Sequence, residues 1–408
     1  MSKTLNECCF FQEGYVNPPQ DKKEYFDGNI KWLRSLDLNN SFVYETSRTL
    51  TEKGYNSAGK SAYMFPANTI AISKSGTVGE LGILKDTMCG NRAIIDIQVD
   101  GSKADLLYVF YLLRYKKKEI ISKAVGSIQK NLYCSALGTI ELCHDDINEQ
   151  KRISGVLGSI DEKIRNNNTI NDELETMAKT IYDYWFLQFE FPDENGKPYK
   201  SSGGKMVWCE ELNREIPEGW KVGNLYDIAD FINGLACQKF RPISPANKLP
   251  VVKIGEMHSG ITDQTEYVRD DIPEKHIIND GDILFSWSAT LETILWTGGK
   301  AGLNQHIFKV NPKGFAKYYV FMQLSAYIIN FIRMAEARKT TMGHITTDHL
   351  KQSRIALPPK YIAQQYSNTV ATMFQMVIKN NEQNRELASL RDFLLPLLMN
   401  GQVTFGDR

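Results

Sequence analysis

Gly54 to Ser61 reads GYNSAGKS, a full match to the G-x-x-x-x-G-K-S pattern. In that loop, backbone amides and a lysine cradle phosphates while a serine hydroxyl holds magnesium. The chemistry needs a buried strand before the loop and a helix after it, so that a helix N-terminus faces the phosphates. Here the preceding VYETSRTLTEK is polar, and Pro66 stops any helix within five residues. The segment is expected to be a glycine-rich loop, and a P-loop ATPase is kept as the enzyme alternative.

Other motifs are incomplete. Asn17-Pro-Pro-Gln20 has the first three residues of the N-P-P-aromatic motif that holds and stacks a flipped adenine, but Gln20 replaces the aromatic ring and no glycine-rich cofactor loop precedes it. Pro192-Asp193 could open a nuclease site, yet no (Asp/Glu)-x-Lys triplet follows in the next thirty residues. His144, His258, His276, His306, His344 and His349 are too dispersed for a metal cluster. Of seven cysteines, Cys8 and Cys9 are adjacent and the rest scattered without a C-x-x-C pair, so neither a disulfide framework nor a zinc site is expected.

Composition narrows the classes further. The 408 residues are 42% apolar and 24% charged, as in a soluble globular protein with room for two or three domains. No stretch approaches a membrane span, and MSKTLNECCFFQ lacks the blocks of a signal peptide, so a cytoplasmic location without membrane contact is expected. Net charge is zero, with 48 basic and 48 acidic residues. Nucleic-acid binders usually show a basic excess. Charge therefore permits DNA binding through the clusters Lys116-Lys117-Lys118, Lys123 with Lys130, and Arg338-Lys339, without arguing for it.

The elements that must position these groups are written twice. Residues 164–177, IRNNNTINDELETM, and 378–390, IKNNEQNRELASL, share one pattern about 213 residues apart. Lys31-Trp-Leu-Arg34 has a counterpart near Val251-Val-Lys253, Ala67–Ile72 near Asp280–Phe285, Gly90–Ile94 at Leu303–Ile307, and Leu107–Phe110 at Tyr318–Phe321. A period this long is a duplicated domain-plus-helix unit, not a solenoid. The expected organisation is a mixed domain over 1–146, a long helix over 147–190, a linker plus second mixed domain over 191–358, and a second long helix over 359–408. FEFPDENGKPYKSSGGK reads as the linker, with the second domain proper from about Leu212, and Pro358-Pro359 opens the last helix.

In the first helix Ile153, Ile160, Leu174 and Ile181 hold one heptad position, and Leu157, Ile164, Ala178 and Trp185 the neighbouring seam. A seam that narrow suits packing on one other helix. Asn167 and Asn171 interrupt it; either they fix register against Asn380 and Asn381, or they lie at an exposed waist. Leu387, Leu390 and Leu394 complete the apolar stripe of the second helix. The outer sides of Ile153, Val156, Ile170 and Met177 are where a further partner is expected.

Two mixed domains separated by a helical repeat, with Gln150 to Ile164 reading Q-x-x-I-x-x-x-L-x-x-I-D-x-x-I, then IYDYWFLQFEFP, GKPYKSSGGKMV, REIPEGW, LNQHIFKV and IALPP, resemble the specificity subunit of type I restriction-modification systems. The resemblance spans essentially the whole chain. One departure is Leu142-Cys143-His144, where the second copy has Leu-Pro-Pro.

The resemblance implies an α+β fold: two mixed α/β target-recognition domains separated by two long antiparallel coiled-coil helices, with an internal two-fold repeat. It implies a non-catalytic subunit that binds no cofactor. Double-stranded DNA, two modification (methyltransferase) subunits and restriction (endonuclease/translocase) subunits would be its partners, with S-adenosylmethionine, ATP and Mg2+ held on those subunits. Each domain would read half of a bipartite site. A helix of about 35 residues, roughly 50 Å at 1.5 Å per residue, would separate the domains by about 1.5 turns of DNA.

Arg, Lys, Asn and Gln best read base edges, and Lys, Ser and Thr hold phosphates. The expected DNA-facing residues of the first domain are Lys74, Ser75, Thr77, Asn91, Arg92, Ser127, Gln129, Lys130 and Asn131. Those of the second are Ser286, Trp287, Ser288, Gln305, His306, Arg338, Lys339, Thr340, Thr341 and His344. Asn91 and Gln305 could instead brace loops, and Trp287 could be a packed core aromatic. A helix-pair scaffold that never meets DNA is the third reading.

Overall fold

Short apolar runs such as IAIS and LGIL, bounded by turn residues, are sequences that bury both faces of a strand, and in the computed structural model they do. The structure describes residues 3–126, 130–244, 246–288, 290–337 and 345–403. The chain divides into two compact units, one of Met1–Ile164 with Leu387–Arg408 and one of Arg165–Glu386. The boundary falls inside both long helices, so each half-helix belongs to the body of a mixed domain.

In the first unit a five-stranded sheet runs in the order Cys9–Glu13, Ile94–Val99, Ile70–Ser73, Leu81–Leu84, Ser41–Val43. A four-stranded sheet holds Thr49–Leu50, Phe26–Leu33, Met88–Gly90 and Met64–Phe65 in order. Helix Leu106–Tyr115, started by Asp105 accepting the Tyr108 amide, is buried from Tyr108 through Leu113. It shares a core with Ile153 and Leu157 of the first long helix and with Leu395, Leu398 and Met399 of the second. Ile153 is 1% exposed, so it belongs to this core and offers no outer face to a partner.

The second unit repeats the plan. Ala229–Asn233, Ile307–Pro312, Ile283–Ser286 and Glu292–Leu295 form one sheet in that order, and Tyr267–Arg269, Lys248–Val252, Ala301–Leu303 and Ile277–Ile278 the other. The registers match as well. Ser73 pairs Ile94 as Ser286 pairs Ile307, and Glu13 pairs Ile95 as Asn233 pairs Phe308. The fifth strand, Ser41–Val43, has no described counterpart in the second unit.

The first long helix is regular over Ile147–Tyr182 and then widens to a π-turn at Asp183–Leu187, which sets Trp185 and Phe186 into the second core. The second runs Lys360–Met399, directly after the paired prolines. Just after the expected linker, Met206–Cys209 pairs Arg214–Pro217 as a hairpin. Within the second unit, buried Asn167 donates to Gln383 Oε1 at 2.9 Å and Asn384 Oδ1 at 2.8 Å, and Asn171 donates to Asn381 Oδ1 at 2.8 Å. The asparagines therefore lie in the helix seam, not at an exposed waist. Ile164, Leu174 and Ile181 are half-buried along it. In the first unit Leu387 and Leu394 are half-buried, whereas Leu390, 46% exposed, faces solvent beside exposed Phe393.

Candidate nucleic-acid interface

Parts of the three segments expected to face DNA in the first domain, and two of the three in the second, meet at one strand end through backbone hydrogen bonds, while 338–344 lies outside the described residues. The Lys74 amide donates to Ala93 O at 2.7 Å, and the Leu132 amide donates to Lys74 O at 2.8 Å. In the second unit the Trp287 amide donates to His306 O at 3.3 Å, and the Ile345 amide to Trp287 O at 2.9 Å. Residues 74, 91–93 and 130–132 are thus joined at one place, and residues 287, 304–306 and 345 at its equivalent, with Leu132 and Ile345 buried beneath.

The frame beneath is shared. The Ser73 hydroxyl donates to Thr77 O and accepts the Glu80 amide; the Ser286 hydroxyl donates to Thr290 O and accepts the Glu292 amide. Asn91 Oδ1 accepts the Ala93 amide at 3.0 Å, as Asn304 Oδ1 accepts the His306 amide at 3.3 Å. Gly14 and Gly234 lie so close to the carbonyls of Asn91 and Asn304 that an added Cβ would sit 2.3 Å and 2.2 Å from them. Glycine is required there because the two backbones touch.

What the frame presents differs between the units. Lys74 Nζ donates to Glu13 Oε2 at 2.6 Å, with the two side chains 15% and 21% exposed. Glu13 also accepts from the Tyr15 hydroxyl at 3.4 Å, and the Cys134 thiol lies 3.8 Å from its other oxygen. Burial, with the Glu13 carboxylate beside it, pushes the Cys134 thiol up to about 11. At the equivalent place Trp287 Nε1 donates to the exposed Asn233 Oδ1 at 3.2 Å, and the indole lies 5.5 Å from the His306 ring.

Several expected residues have bracing roles. Asn91 is one, its amide oxygen holding its own loop. Ser286 is fully buried and Ser288 nearly so, and the Ser286 hydroxyl is occupied by its turn, so these two support the surface without forming it. Gln305 Nε2 lies 3.4 Å from His306 Nε2, and its backbone amide is held by Leu235 O. Trp287 is only partly buried. Thr77, Arg92 and Lys130 are exposed, and Ser75 bridges Asn131. Ser127, Gln129, Arg338, Lys339, Thr340, Thr341 and His344 lie outside the described residues. Glu13 and Asn233 were not among the sequence candidates. The signal that finds them is their place immediately before Gly14 and Gly234, the glycines of the shared frame.

The GYNSAGKS segment has the wrong order of elements for a phosphate loop. A short helix, Glu52–Asn56, precedes the Gly59–Ser61 turn and strand Met64–Phe65 follows it, so the lysine is not followed by the helix that a phosphate loop requires.

Residues 2–176 and 217–388 match the family described as the type I restriction modification DNA specificity domain. The MjaIX type I specificity subunit of Methanocaldococcus jannaschii is 26% identical over 408 residues, covering 96% of this chain and 90% of that one. The HindI specificity subunit of Haemophilus influenzae is 22% identical over 66% of this chain and 70% of its own length. The crystal structure of an S subunit from M. genitalium has the same fold at a TM-score of 0.56 and 15% identity, covering 100% of this chain and 96% of that one. With two matched segments that fill most of its length and coincide with the two copies of the fold, the chain belongs to the type I restriction-modification specificity subunit family.

Proposed function

We propose that each unit reads one half of a bipartite, asymmetric site in double-stranded DNA, and that the chain catalyses nothing itself. The observation that carries this reading is the twice-built surface: one hydrogen-bonded frame, repeated at matching register, that presents Lys74 with Glu13 in one copy and Trp287 with Asn233 in the other. A reader of two different half-sites needs a common frame with changed side chains. A scaffold does not.

The paired helices, each continuous through both units, are proposed to fix the gap between half-sites and to dock two modification subunits, through which restriction subunits join. Exposed Ile170 and Met177 of the first helix, and Leu390 and Phe393 of the second, are apolar groups that such docking would cover. S-adenosylmethionine, ATP and Mg2+ belong on those partners in this reading. No described helix is long and apolar enough to cross a membrane, in keeping with a cytoplasmic complex.

The test is reconstitution. The chain alone should neither methylate nor cut DNA, while its complex with the modification subunit methylates one gapped sequence. A complex that forms but binds every sequence equally would leave the helix-pair scaffold as the better account.

A further inference from the structure

The internal repeat lets one domain serve as the control for the other. Groups that keep the same residue and the same hydrogen bond in both copies hold the surface: Ser73 and Ser286, Asn91 and Asn304, Gly14 and Gly234. Groups that keep their backbone placement but change chemistry are free to encode a difference. Lys74 follows the brace serine at the strand end as Trp287 does, with its amide on Ala93 O where Trp287 has His306 O. Glu13 and Asn233 hold matching register on the neighbouring strand. Each cross-strand pair is tied by its own hydrogen bond.

We propose that these two pairs are specificity-determining dyads, Lys74–Glu13 for a G·C base pair in one half-site and Trp287–Asn233 for an A·T base pair in the other. The proposal rests on the reading of the chain as a two-site DNA reader, and it adds which residues read and what they read.

The chemistry follows from the base edges in the major groove. Guanine offers N7 and O6 as acceptors, and its cytosine offers the N4 amino group as a donor. Lys74 donates to Glu13 and, among the described residues, to no other group, so its ammonium keeps protons for guanine. Glu13 accepts from Lys74 and Tyr15, with the Cys134 thiol at 3.8 Å, and as a carboxylate it retains lone pairs for cytosine N4. Adenine offers N7 as acceptor and N6 as donor, the pattern a carboxamide matches with two bonds. Asn233 Oδ1 accepts one bond from the indole and has a second lone pair for N6, while its Nδ2 has no protein acceptor among the described residues and can donate to N7. The half-buried indole, packed on the His306 and Phe308 rings, orients that carboxamide through its N–H. The cross-strand hydrogen bond in each dyad holds the reading atoms in place before DNA arrives, which is the preorganisation a specific contact requires.

The experiment expresses the full chain with its modification subunit in cells and sequences the methylated bases. Wild type is compared with Lys74→Met, Glu13→Gln, Asn233→Asp and Trp287→Phe. Lys74→Met and Glu13→Gln are expected to relax one G·C position of one half-site, by roughly 5- to 150-fold in discrimination, and to leave the other half-site as strict as before. Asn233→Asp and Trp287→Phe are expected to do the converse at an A·T position. The untouched half-site reports in the same cells that the variant is folded and assembled. Variants that leave both half-sites unchanged, relax the opposite class of base pair, or abolish methylation at every site would overturn the dyads while leaving the reader assignment standing. No gapped motif with the wild-type chain would overturn the reader assignment and the dyads with it.

Discussion

Asn380 donates its side-chain amide to Asn171 Oδ1 at 2.8 Å, while Asn171 donates in turn to Asn381 Oδ1 at 2.8 Å. With Asn167 on Gln383 and Asn384, and Asn384 on Asn168, the seam between the two long helices carries a ladder of carboxamides where leucines would pack more stably. A carboxamide accepts only a partner at its own height, so the ladder selects one register. Asn167 Oδ1 is buried without a hydrogen-bond partner among the described residues.

Asn171→Leu is expected to destabilise the chain by about 1–3 kcal/mol, because half-buried Asn380 and Asn381 lose their partner. Adding leucines at 380 and 381 should recover much of that loss, since apolar groups would then replace the whole polar cluster. Denaturant unfolding of the single and triple variants measures both.

Asp161 joins three elements of the first unit. Its carboxylate accepts from the Tyr111 hydroxyl at 2.7 Å and from Arg391 Nη1 at 2.6 Å, and Arg391 and Arg114 both reach Asp392. Burial, with the Asp161 carboxylate beside it, holds the Tyr111 hydroxyl well above the usual phenol range. Asp161→Ala removes the acceptor common to the domain helix and the second long helix, and is expected to cost about 3 kcal/mol. Thermal unfolding reads it, with Asp392→Ala, whose carboxylate is mostly exposed, as the milder comparison.

Asp96 gives the fold a pH dependence. Burial pushes its carboxyl up to about 6, although Thr69 donates to it at 2.5 Å and Gln98 at 2.9 Å. The folded state therefore holds this proton more tightly than the unfolded chain, whose carboxyl titrates near 3.9. Its contribution to stability is fully present below about pH 4 and is lost as pH rises through about 6, a swing of about 3 kcal/mol. Asp96→Asn should flatten that part of the stability profile between pH 4 and 8. A profile unchanged by the substitution would show that Asp96 is not the group responsible.

Arg92 is exposed on the candidate surface and makes no hydrogen bond or ion pair among the described residues. Arg92→Ala is expected to weaken DNA binding by the assembled complex by about 1–3 kcal/mol if it reads a base. If it holds a phosphate, the dependence of log K on log salt should fall by about one charge. An affinity series across salt separates the two. Equal binding by the variant at every salt concentration would remove Arg92 from the surface.

Lys60→Ala is expected to leave ATP affinity of the chain unchanged. The lysine sits in a turn between a short helix and a strand, not ahead of the helix that a phosphate loop requires. Equilibrium dialysis with labelled ATP checks this, and a wild-type affinity abolished by the substitution would contradict it.

The long helices and the duplication were legible in the sequence because both are periodic signals sustained over many residues. Spacing put Ile153, Leu157, Ile160 and Ile164 on one apolar stripe but left open whether Asn167 and Asn171 lie in the helix seam or at an exposed waist; their hydrogen bonds place them in the seam. Spacing also aligned the segments at 74 and 91 with those at 287 and 305, which the fold brings together within each unit; the expected counterpart of 127–131, residues 338–344, lies outside the described residues. It could not separate the side that faces the domain core from the side that faces outward, and Ile153 proved to belong to the core. Nor could it show that Ser286 turns inward, since its hydroxyl is held by Thr290 and Glu292 around a tight turn. Glu13 and Asn233 gave no periodic signal at all; their cross-strand partners lie 61 and 54 positions away in sequence. The π-turn that sets Trp185 inward is likewise a response to tertiary packing, not to local pattern.

As a DNA specificity subunit, this chain decides where on DNA methylation falls. The measurement that tests this most directly is sequencing of methylated bases in cells that carry the modification subunit, with and without this chain. One asymmetric, gapped motif that vanishes when the chain is deleted is the predicted result. A motif that persists without the chain, or no motif despite a stable complex, would contradict it.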